Sequence, residues 1–237
     1  MSRREKLKTQ LRPWLELVGI DRLSWPGLNG LDRKLARHLP AHGGWFVEAG
    51  ANDGYLQSNT YHLARFKHWR GVLVEPVPHL AEACRRNRRE SQIYSCALGP
   101  PDLAGSTVTL RFAGLMTGVC GALGDDGAET QRAARGLKSQ GLAVEPYVFE
   151  APVRTLTAVL LESSTPAVFD LLSLDVEGYE VDVLKGFDLD RYQARFICIE
   201  ARRSHLDQVT QMLASRYELM AVLHEVPEHG DYLFRLR

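Results

Sequence analysis

Short apolar runs alternate with stretches of helical periodicity along most of the chain. Four of these runs end in an acidic residue, and the four acids are Glu48, Glu75, Asp175 and Glu200. Largely apolar runs of this length are typical of parallel strands that are buried on both faces. Because helical stretches separate them, the pattern predicts an α/β fold with a mainly parallel sheet and helices on both faces.

Local signals place the elements around these strands. Ser58 and Asn59 precede an apolar helical stretch, as helix-capping residues do. Pro78 is suited to the first turn of a further helix, which we extend to Arg89. Further apolar runs predict a third strand and a closing antiparallel pair, at Gln92–Leu98, Tyr217–Leu223 and Tyr232–Leu236.

The chain before the first strand has a different character. Residues 3–19 form a basic, partly amphipathic helical pattern that Pro13 interrupts. A second helical pattern runs from Leu28 to Leu39 and stops at Pro40. We therefore expect an N-terminal helical segment over residues 1–43 and a main domain over residues 44–237.

Residues 100–146 are expected to form an insertion in that domain. They are rich in Gly and Ala and show weak periodicity, with a predicted strand at Thr107–Phe112 and a short helix near 128–138. A long insertion in a compact fold is usually functional or mobile, so a lid or substrate loop is one interpretation. The other interpretation is an ordinary surface segment added to the fold.

A glycine-containing loop follows the first strand. Gly50 and Gly54 let the backbone turn tightly and approach a ligand. Glu75 follows Gly54 by 21 residues, the spacing expected of a carboxylate that binds a ribose. Glu48 and Asp53 would repel a pyrophosphate, which favours S-adenosylmethionine, a cationic cofactor without phosphate, over NAD. The alternative is a strand–helix junction whose glycines serve packing alone.

Composition excludes several classes of protein. Lys plus Arg equal Asp plus Glu at 29 each, and this balance argues against a nucleic acid as the main partner. The arginine-rich run 85–89 is interpreted as a solvated helix face. The start of the chain lacks the apolar core of a signal peptide, and no run reaches the ~18 apolar residues of a membrane helix. These features predict a cytoplasmic protein without a membrane span.

Zinc ligation is not indicated. The four cysteines form no CxxC pair, and buried thiols are the simplest interpretation. His224 and His229 are five residues apart, and Pro227 would break the helix that a zinc-binding HExxH motif requires. We interpret this segment as an exposed turn between the last two strands.

The strand-end acids are the strongest indication of a site. The carboxyl ends of parallel strands meet at one edge of a sheet, where ligands bind in open α/β folds. Converging acids raise one another's pKa, so some of them should meet a cation, a hydroxyl or a metal. Asp175 begins the segment Asp-Val-Glu-Gly-Tyr-Glu, in which Gly178 permits a turn. Glu177 would lie at the same edge, or would merely favour the start of the following helix.

Together these segments resemble the FkbM-type methyltransferases, a branch of the class I S-adenosylmethionine-dependent enzymes. The matching segments occur in family order over about residues 44–201: Val47–Gly54, Ser58–Thr60, Val74–Pro76, Cys96–Leu98, Arg154–Leu156, Asp170–Glu180 and Ile199–Glu200. The most specific is Leu-Ser-Leu-Asp-Val-Glu-Gly-Tyr-Glu, which ends at Glu180. Glu48 departs from the Asp that is frequent in the family, and residues 112–146 match no known pattern.

The resemblance implies a Rossmann-like sheet of seven strands, mainly parallel, with the last strand antiparallel. It also implies the residues that bind the cofactor: Glu48, Gly50, Asn52, Asp53, Gly54, Ser58, Asn59, Glu75, Pro76, Ala97 and Leu98. Within this set Glu75 would hold the ribose hydroxyls, and Ala97 and Leu98 would border the adenine. Asp175 would face the transferred methyl group as a catalytic residue, with Glu177 and Glu200 close by.

The expected activity is O-methylation of a hydroxyl on a sugar, polyketide or other small metabolite. N- or C-methylation at the same cofactor site, or a non-catalytic nucleoside-binding role, are the alternatives. The hydroxyl would lose its proton to Asp175, or Mg²⁺ held by Asp175 and Glu200 would acidify it. A homodimer is one option for the assembly.

Overall fold

The structure is a computed structural model that describes residues 11–121 and 126–237. Part of the helix expected over residues 3–19 therefore lies outside the described residues. The described part of that helix, α1, covers residues 11–17. The remaining helices are α2 (Leu31–Leu35), α3 (Tyr61–Lys67), α4 (Pro78–Asn87), α5 (Asp126–Ser139), α6 (Leu156–Glu162), α7 (Glu180–Lys185) and α8 (Arg203–Leu213). In the described part of the chain, no helix is long and apolar enough to cross a bilayer.

Seven strands form the main sheet. They are β1 (Trp45–Ala49), β2 (Arg70–Val74), β3 (Gln92–Tyr94), β8 (Val168–Leu174), β9 (Gln193–Arg202), β10 (Tyr217–Glu225) and β11 (His229–Leu236). Their spatial order is β10-β11-β9-β8-β1-β2-β3, and β11 runs antiparallel to both of its neighbours. The other pairings are parallel. This is the Rossmann-like sheet with an antiparallel last strand that the sequence predicts.

Both faces of this sheet are covered. On β8, Leu171 and Leu172 are adjacent residues with no exposed surface, and they belong to two different hydrophobic clusters. On β1, Phe46 and Val47 divide in the same way. Because successive side chains of a strand point to opposite faces, the two clusters lie on the two sides of the sheet. The apolar runs are therefore the expected strands with helices on both faces.

The third predicted strand is wrong in its second half. The sequence predicts one strand over Gln92–Leu98, whereas β3 ends at Tyr94 and Ala97–Leu98 forms a separate strand, β4. The β2 strand ends at Val74. The last hydrogen bond between β2 and β3 runs from the N–H of Glu75 to the carbonyl of Tyr94. Ala97 and Leu98 pair instead with Val153 and Arg154, outside the main sheet.

A second sheet holds the insertion. It consists of β4, β7 (Tyr147–Arg154), β5 (Thr107–Phe112) and β6 (Gly118–Val119), in that spatial order. The predicted strand at Thr107–Phe112 matches β5, and the predicted helix near 128–138 lies within α5. The insertion thus has its own hydrogen-bonded frame.

The second helical prediction before the first strand is only partly correct. The helix expected over Leu28–Leu39 is a 3₁₀ turn, Leu28–Gly30, followed by the short helix α2. Left-handed backbone at Asn29 and Gly30 separates the two pieces. The boundary between residues 43 and 44 stays a prediction.

Candidate active site

A cavity of about 700 Å³ opens at the carboxyl ends of β1, β2, β8 and β9. Nine of the predicted site residues line it: Gly50, Asn52, Glu75, Pro76, Ala97, Leu98, Asp175, Glu177 and Glu200. The insertion supplies a further wall, made of residues from β5, β6, α5 and the 3₁₀ turn Gly114–Met116. The strand-end acids and the insertion thus face the same space.

Gly50 brings two strand ends into unusually close contact. Its φ is 80°, and a Cβ built on it would lie 1.7 Å from the backbone oxygen of Asp175. The N–H of Asp175 donates to the carbonyl of Ala49 at 3.1 Å. Only glycine permits this approach, which sets the position of Asp175 against the loop after β1.

Glu75 is held rigidly at the end of β2. One of its carboxylate oxygens accepts from the N–H of Asn52 at 2.8 Å, and the other accepts from the N–H of Val77 at 2.9 Å. Burial raises the pKa of Glu75 to about 7. Each oxygen keeps a lone pair for a further donor, so the side chain can bind hydroxyl groups in the cavity.

Five of the predicted cofactor-binding residues do not line the cavity. Asp53 accepts from the N–H groups of Tyr55 and Leu56, which folds the loop on itself. The other four, Glu48, Gly54, Ser58 and Asn59, lie around a buried polar cluster. Their contacts support the shape of the loop and are made within the protein.

Glu48 is the centre of that cluster. Its carboxylate accepts from the N–H of Asn59 at 2.7 Å and from the hydroxyls of Ser58 at 2.9 Å and Thr60 at 2.6 Å. Glu48 is 4 % exposed and lies on the same strand face as Phe46, away from the cavity. All of these partners are internal, so the expected contact with the cofactor has no support in the geometry.

Arg88 corrects the interpretation of the arginine-rich run. Its neighbours in the run are exposed, but Arg88 is 4 % exposed and its Nη1 lies 3.6 Å from a Glu48 oxygen. It also donates to the Thr60 hydroxyl at 2.8 Å and to the carbonyl of Gly54 at 3.1 Å. The buried arginine balances the buried carboxylate, which links α4 to the loop after β1.

Asp175, Glu177 and Glu200 form a cluster in the cavity. Each offers a carboxylate oxygen, and the three oxygens lie within 4.8 Å of one another. Burial, followed by the charges of Glu200 and Glu177, raises the pKa of Asp175 well above its ordinary value. Burial and neighbouring acids also raise the pKa of Glu200 and bring that of Glu177 to about 7. The cluster therefore favours a bound proton or a bound cation.

Two features orient Glu177. Its backbone is left-handed, with φ 55°, and Gly178 after it has φ 100°. Such a conformation is costly for a residue other than glycine and is often found at functional sites. Arg132, on α5 of the insertion, donates to Glu177 at 3.1 Å and partly offsets the rise of its pKa. The insertion is thus connected directly to the acidic cluster.

Arg132, Arg202 and His229 are among the cavity residues that the sequence prediction missed. Arg132 lies in the insertion, for which no pattern was known, and Arg202 ends β9. His229 was assigned to an exposed turn, yet its Nε2 lies 3.8 Å from a Glu200 oxygen at the start of β11. The pairing of β11 with β9 brings it there, and no local signal reports that pairing.

Residues 48–234 match the family model of the FkbM methyltransferase domain. The chain belongs to the FkbM methyltransferase family. It is therefore an S-adenosylmethionine-dependent methyltransferase, as the segments around Gly50 and Asp175 indicated. No curated protein matches the chain closely enough to count as a relative.

Solved structures of similar shape are distant in sequence. A TehB-like SAM-dependent methyltransferase from Corynebacterium glutamicum is 11% identical, with 99% of this chain and 98% of that chain covered and a TM-score of 0.47. A precorrin-6y C5,15-methyltransferase from Geobacter metallireducens is 9% identical, with 87% and 88% covered and a TM-score of 0.46. TrmK of M. capricolum, solved with S-adenosyl-homocysteine, is 7% identical, with 87% and 67% covered and a TM-score of 0.45.

The donor set of the cavity fits this cofactor. Glu75 offers a fixed carboxylate to a ribose diol, and Leu98 and Leu80 offer apolar surface to a base. The acidic cluster attracts a positively charged sulfonium group. The cavity volume also lies in the range of small-molecule sites.

Proposed function

We propose that this methyltransferase acts on a hydroxyl group of a small-molecule acceptor, such as a sugar, a polyketide or another metabolite. The observation that carries the proposal is the cluster of Asp175, Glu177 and Glu200, whose carboxylate oxygens lie within 4.8 Å of one another in the cavity. An alcohol is a poor nucleophile until it loses its proton. The cluster supplies a proton acceptor at the edge of the sheet where the methyl group is expected.

Asp175 is the proposed general base. An ordinary Asp, with a pKa of about 3.9, is a weak base for an alcohol. Burial and the charges of Glu200 and Glu177 raise the pKa of Asp175, which improves proton transfer from a hydroxyl. The bound cofactor supplies an electrophilic methyl group on a sulfonium. Asp175 would accept the proton of the acceptor hydroxyl, and the cofactor, held by Gly50, Asn52 and Glu75, would supply the methyl group to the acceptor oxygen and leave as S-adenosyl-homocysteine.

Cofactor contacts are assigned to the predicted residues that line the cavity. Gly50 and Asn52 would border the methionine end, and Glu75 would accept from the ribose hydroxyls. The adenine would lie against three cavity residues, which are Pro76, Ala97 and Leu98. For the predicted residues outside the cavity, the buried cluster around Glu48 supports an indirect role in shaping the loop.

Mg²⁺ is the second way to activate the hydroxyl. Asp175 and Glu200 offer the oxygen ligands that Mg²⁺ prefers, and Glu177 offers a third within the same 4.8 Å. A cation held there would lower the pKa of a bound hydroxyl. Full activity in EDTA favours the general base, whereas loss in EDTA that added Mg²⁺ reverses favours the metal.

The central test is Asp175→Asn, which keeps the shape of the side chain and removes its charge. We expect turnover to fall by about 100-fold or more, since general-base groups contribute on this scale. The affinity for S-adenosyl-homocysteine, measured by calorimetric titration, should change little. Asp182→Asn is the matched control, because Asp182 pairs with Lys185 on the surface of α7. Near-normal turnover in Asp175→Asn would remove Asp175 from the chemistry.

The acceptor atom and the location also stay proposals. Mass spectrometry and NMR of a methylated product separate an O-methyl ether from N- or C-methylation. All four cysteines are free, which agrees with the reducing cytoplasm that we propose as the location. Light scattering of the purified chain tests the homodimer.

A further inference from the structure

Most apolar side chains on and directly after helix α1 are exposed to solvent, whereas its charged residues Arg12 and Glu16 contact the protein. Trp14, Leu17 and Val18 are 73%, 72% and 71% exposed, and Leu11 is 45% exposed. At 100° per residue the three helical positions, Leu11, Trp14 and Leu17, fall on an arc of about 120°, and Val18 follows directly after the helix. We call these four residues the α1 outer face. A surface helix normally has the opposite arrangement, with its apolar stripe toward the core.

The inward face of α1 is fixed by polar contacts. Glu16 accepts from the hydroxyls of Ser24 at 2.7 Å and Tyr61 at 2.9 Å and from Nε of Arg65 at 3.0 Å. Arg12 lies 3.6 Å from the centre of the Tyr55 ring. Turning the helix to bury its apolar side would break this buried network. The α1 outer face is therefore held outward by the fold.

Basic charge is concentrated in the sequence directly before this face. Residues 1–10 contain four basic residues and one acidic residue, although the whole chain has no net charge. Basic residues next to an exposed apolar face with Trp form the combination that binds anionic lipid surfaces. We propose that the α1 outer face docks this enzyme on an anionic membrane surface, without crossing it.

A second copy of the chain fits the face less well. A two-fold dimer places the same patch of both copies together. Because the residues that precede Leu11 in the sequence are mainly basic, a second copy offers no opposite charge to them, and like charges repel. A lipid surface of opposite charge avoids this repulsion and attracts the same residues.

Tyr55 connects α1 to one wall of the cavity. Arg12 stacks on Tyr55, and the next residue, Leu56, lines the cavity together with Leu28. Leu56 and Leu28 are 48% and 51% exposed, so this wall of the cavity also carries exposed apolar surface. Docking would therefore bring this wall close to the lipid, where a membrane-linked acceptor could enter.

The test is co-sedimentation of the full chain with vesicles of phosphatidylcholine, with and without phosphatidylglycerol. We expect binding to the vesicles that contain phosphatidylglycerol and release from them as salt increases. Leu17→Glu should weaken this binding about tenfold or more, since it removes apolar contact and adds a repelled charge. The matched control is Leu161→Glu on α6, where the leucine is 53% exposed; it should bind like the wild type.

Thermal unfolding of both variants shows whether they are correctly folded. Their unfolding midpoints should equal that of the wild type, because each leucine is exposed. Trp14→Ala is a second variant without added charge and should also bind more weakly. Failure of the wild type to bind phosphatidylglycerol vesicles overturns the proposal, as does unchanged binding in Leu17→Glu. A stable dimer that Leu17→Glu disrupts, in a chain that binds no vesicles, would assign the α1 outer face to a second copy.

Discussion

Gly50→Ala tests the geometry that positions Asp175. The new Cβ would lie 1.7 Å from the Asp175 carbonyl oxygen, and real Cβ contacts essentially never fall below 3.0 Å. The ends of β1 and β8 would have to separate by about 1.3 Å or more, since no flexible side chain can yield at this point. The change thus moves the proposed base relative to the loop after β1.

The expected cost has two parts. Alanine at φ 80° carries a left-handed strain of about 1–2 kcal/mol. Separation of the strands also breaks the 3.1 Å bond from Asp175 N–H to the Ala49 carbonyl, which adds about 1 kcal/mol. We expect a loss of about 3 kcal/mol, or a midpoint lowered by about 6–12 °C for a chain of this size. A displacement of Asp175 by about 1 Å should lower turnover about 100-fold.

Differential scanning fluorimetry and initial rates with the natural acceptor measure the two effects. Gly105→Ala is the matched control, because Gly105 has φ 85° and nothing within 4 Å of its built Cβ. This control carries the strain without the clash and should retain activity. If Gly50→Ala melts like Gly105→Ala and turns over normally, the close approach of Gly50 to Asp175 has no consequence and the reasoning is wrong.

Three further predictions concern buried charge. Arg88→Met should cost about 3–5 kcal/mol in the free energy of unfolding, since it leaves Glu48 buried without a cation; an unchanged urea midpoint would contradict this. Without cofactor, the free energy of unfolding should fall as the pH rises from about 4.5 to 7. Burial raises the pKa of Glu75 in the folded state from 4.5 to about 7, so the folded protein keeps a proton that the unfolded chain releases. This one group contributes about 3 kcal/mol, and denaturation curves that show rising stability over this interval would refute it. Arg132→Gln should raise the pKa of Glu177, because Arg132 now offsets the effects of burial and Glu200; an NMR titration in which the pKa of the Glu177 carboxyl stays unchanged would exclude the coupling.

The expectation that ligands bind beyond the carboxyl ends of parallel strands predicted the cavity residues well where an acid directly follows the last residue of its strand. Glu75 comes after β2 and Asp175 after β8, so both project beyond the sheet edge. Glu48 lies one residue before the end of β1, and its side chain points to a face of the sheet. Glu200 also lies inside its strand, two residues before the end of β9, yet it lines the cavity, so the position of an acid relative to the strand end does not by itself decide which acids face the site. Strand ends are also the least certain boundaries in a sequence.

Long-range partners account for what the sequence did not reveal. Arg88 sits in a run whose other arginines are exposed, and only the packing of α4 against the loop after β1 selects it for burial. Arg132 meets Glu177 across 45 residues, through a helix in a segment of weak periodicity. Periodicity reports which elements form, whereas these contacts depend on how the elements pack.

The separate sheet of the insertion affects how this enzyme can diversify. Strands β4, β5, β6 and β7 pair among themselves, and none is hydrogen-bonded into the main sheet. Insertions, deletions and exchanges between β5 and β7 can therefore accumulate without disturbing the register that holds Gly50 and Asp175. This segment, which lines the cavity, is free to change in evolution, while the ion pair between Arg132 and Glu177 restricts that freedom at one point.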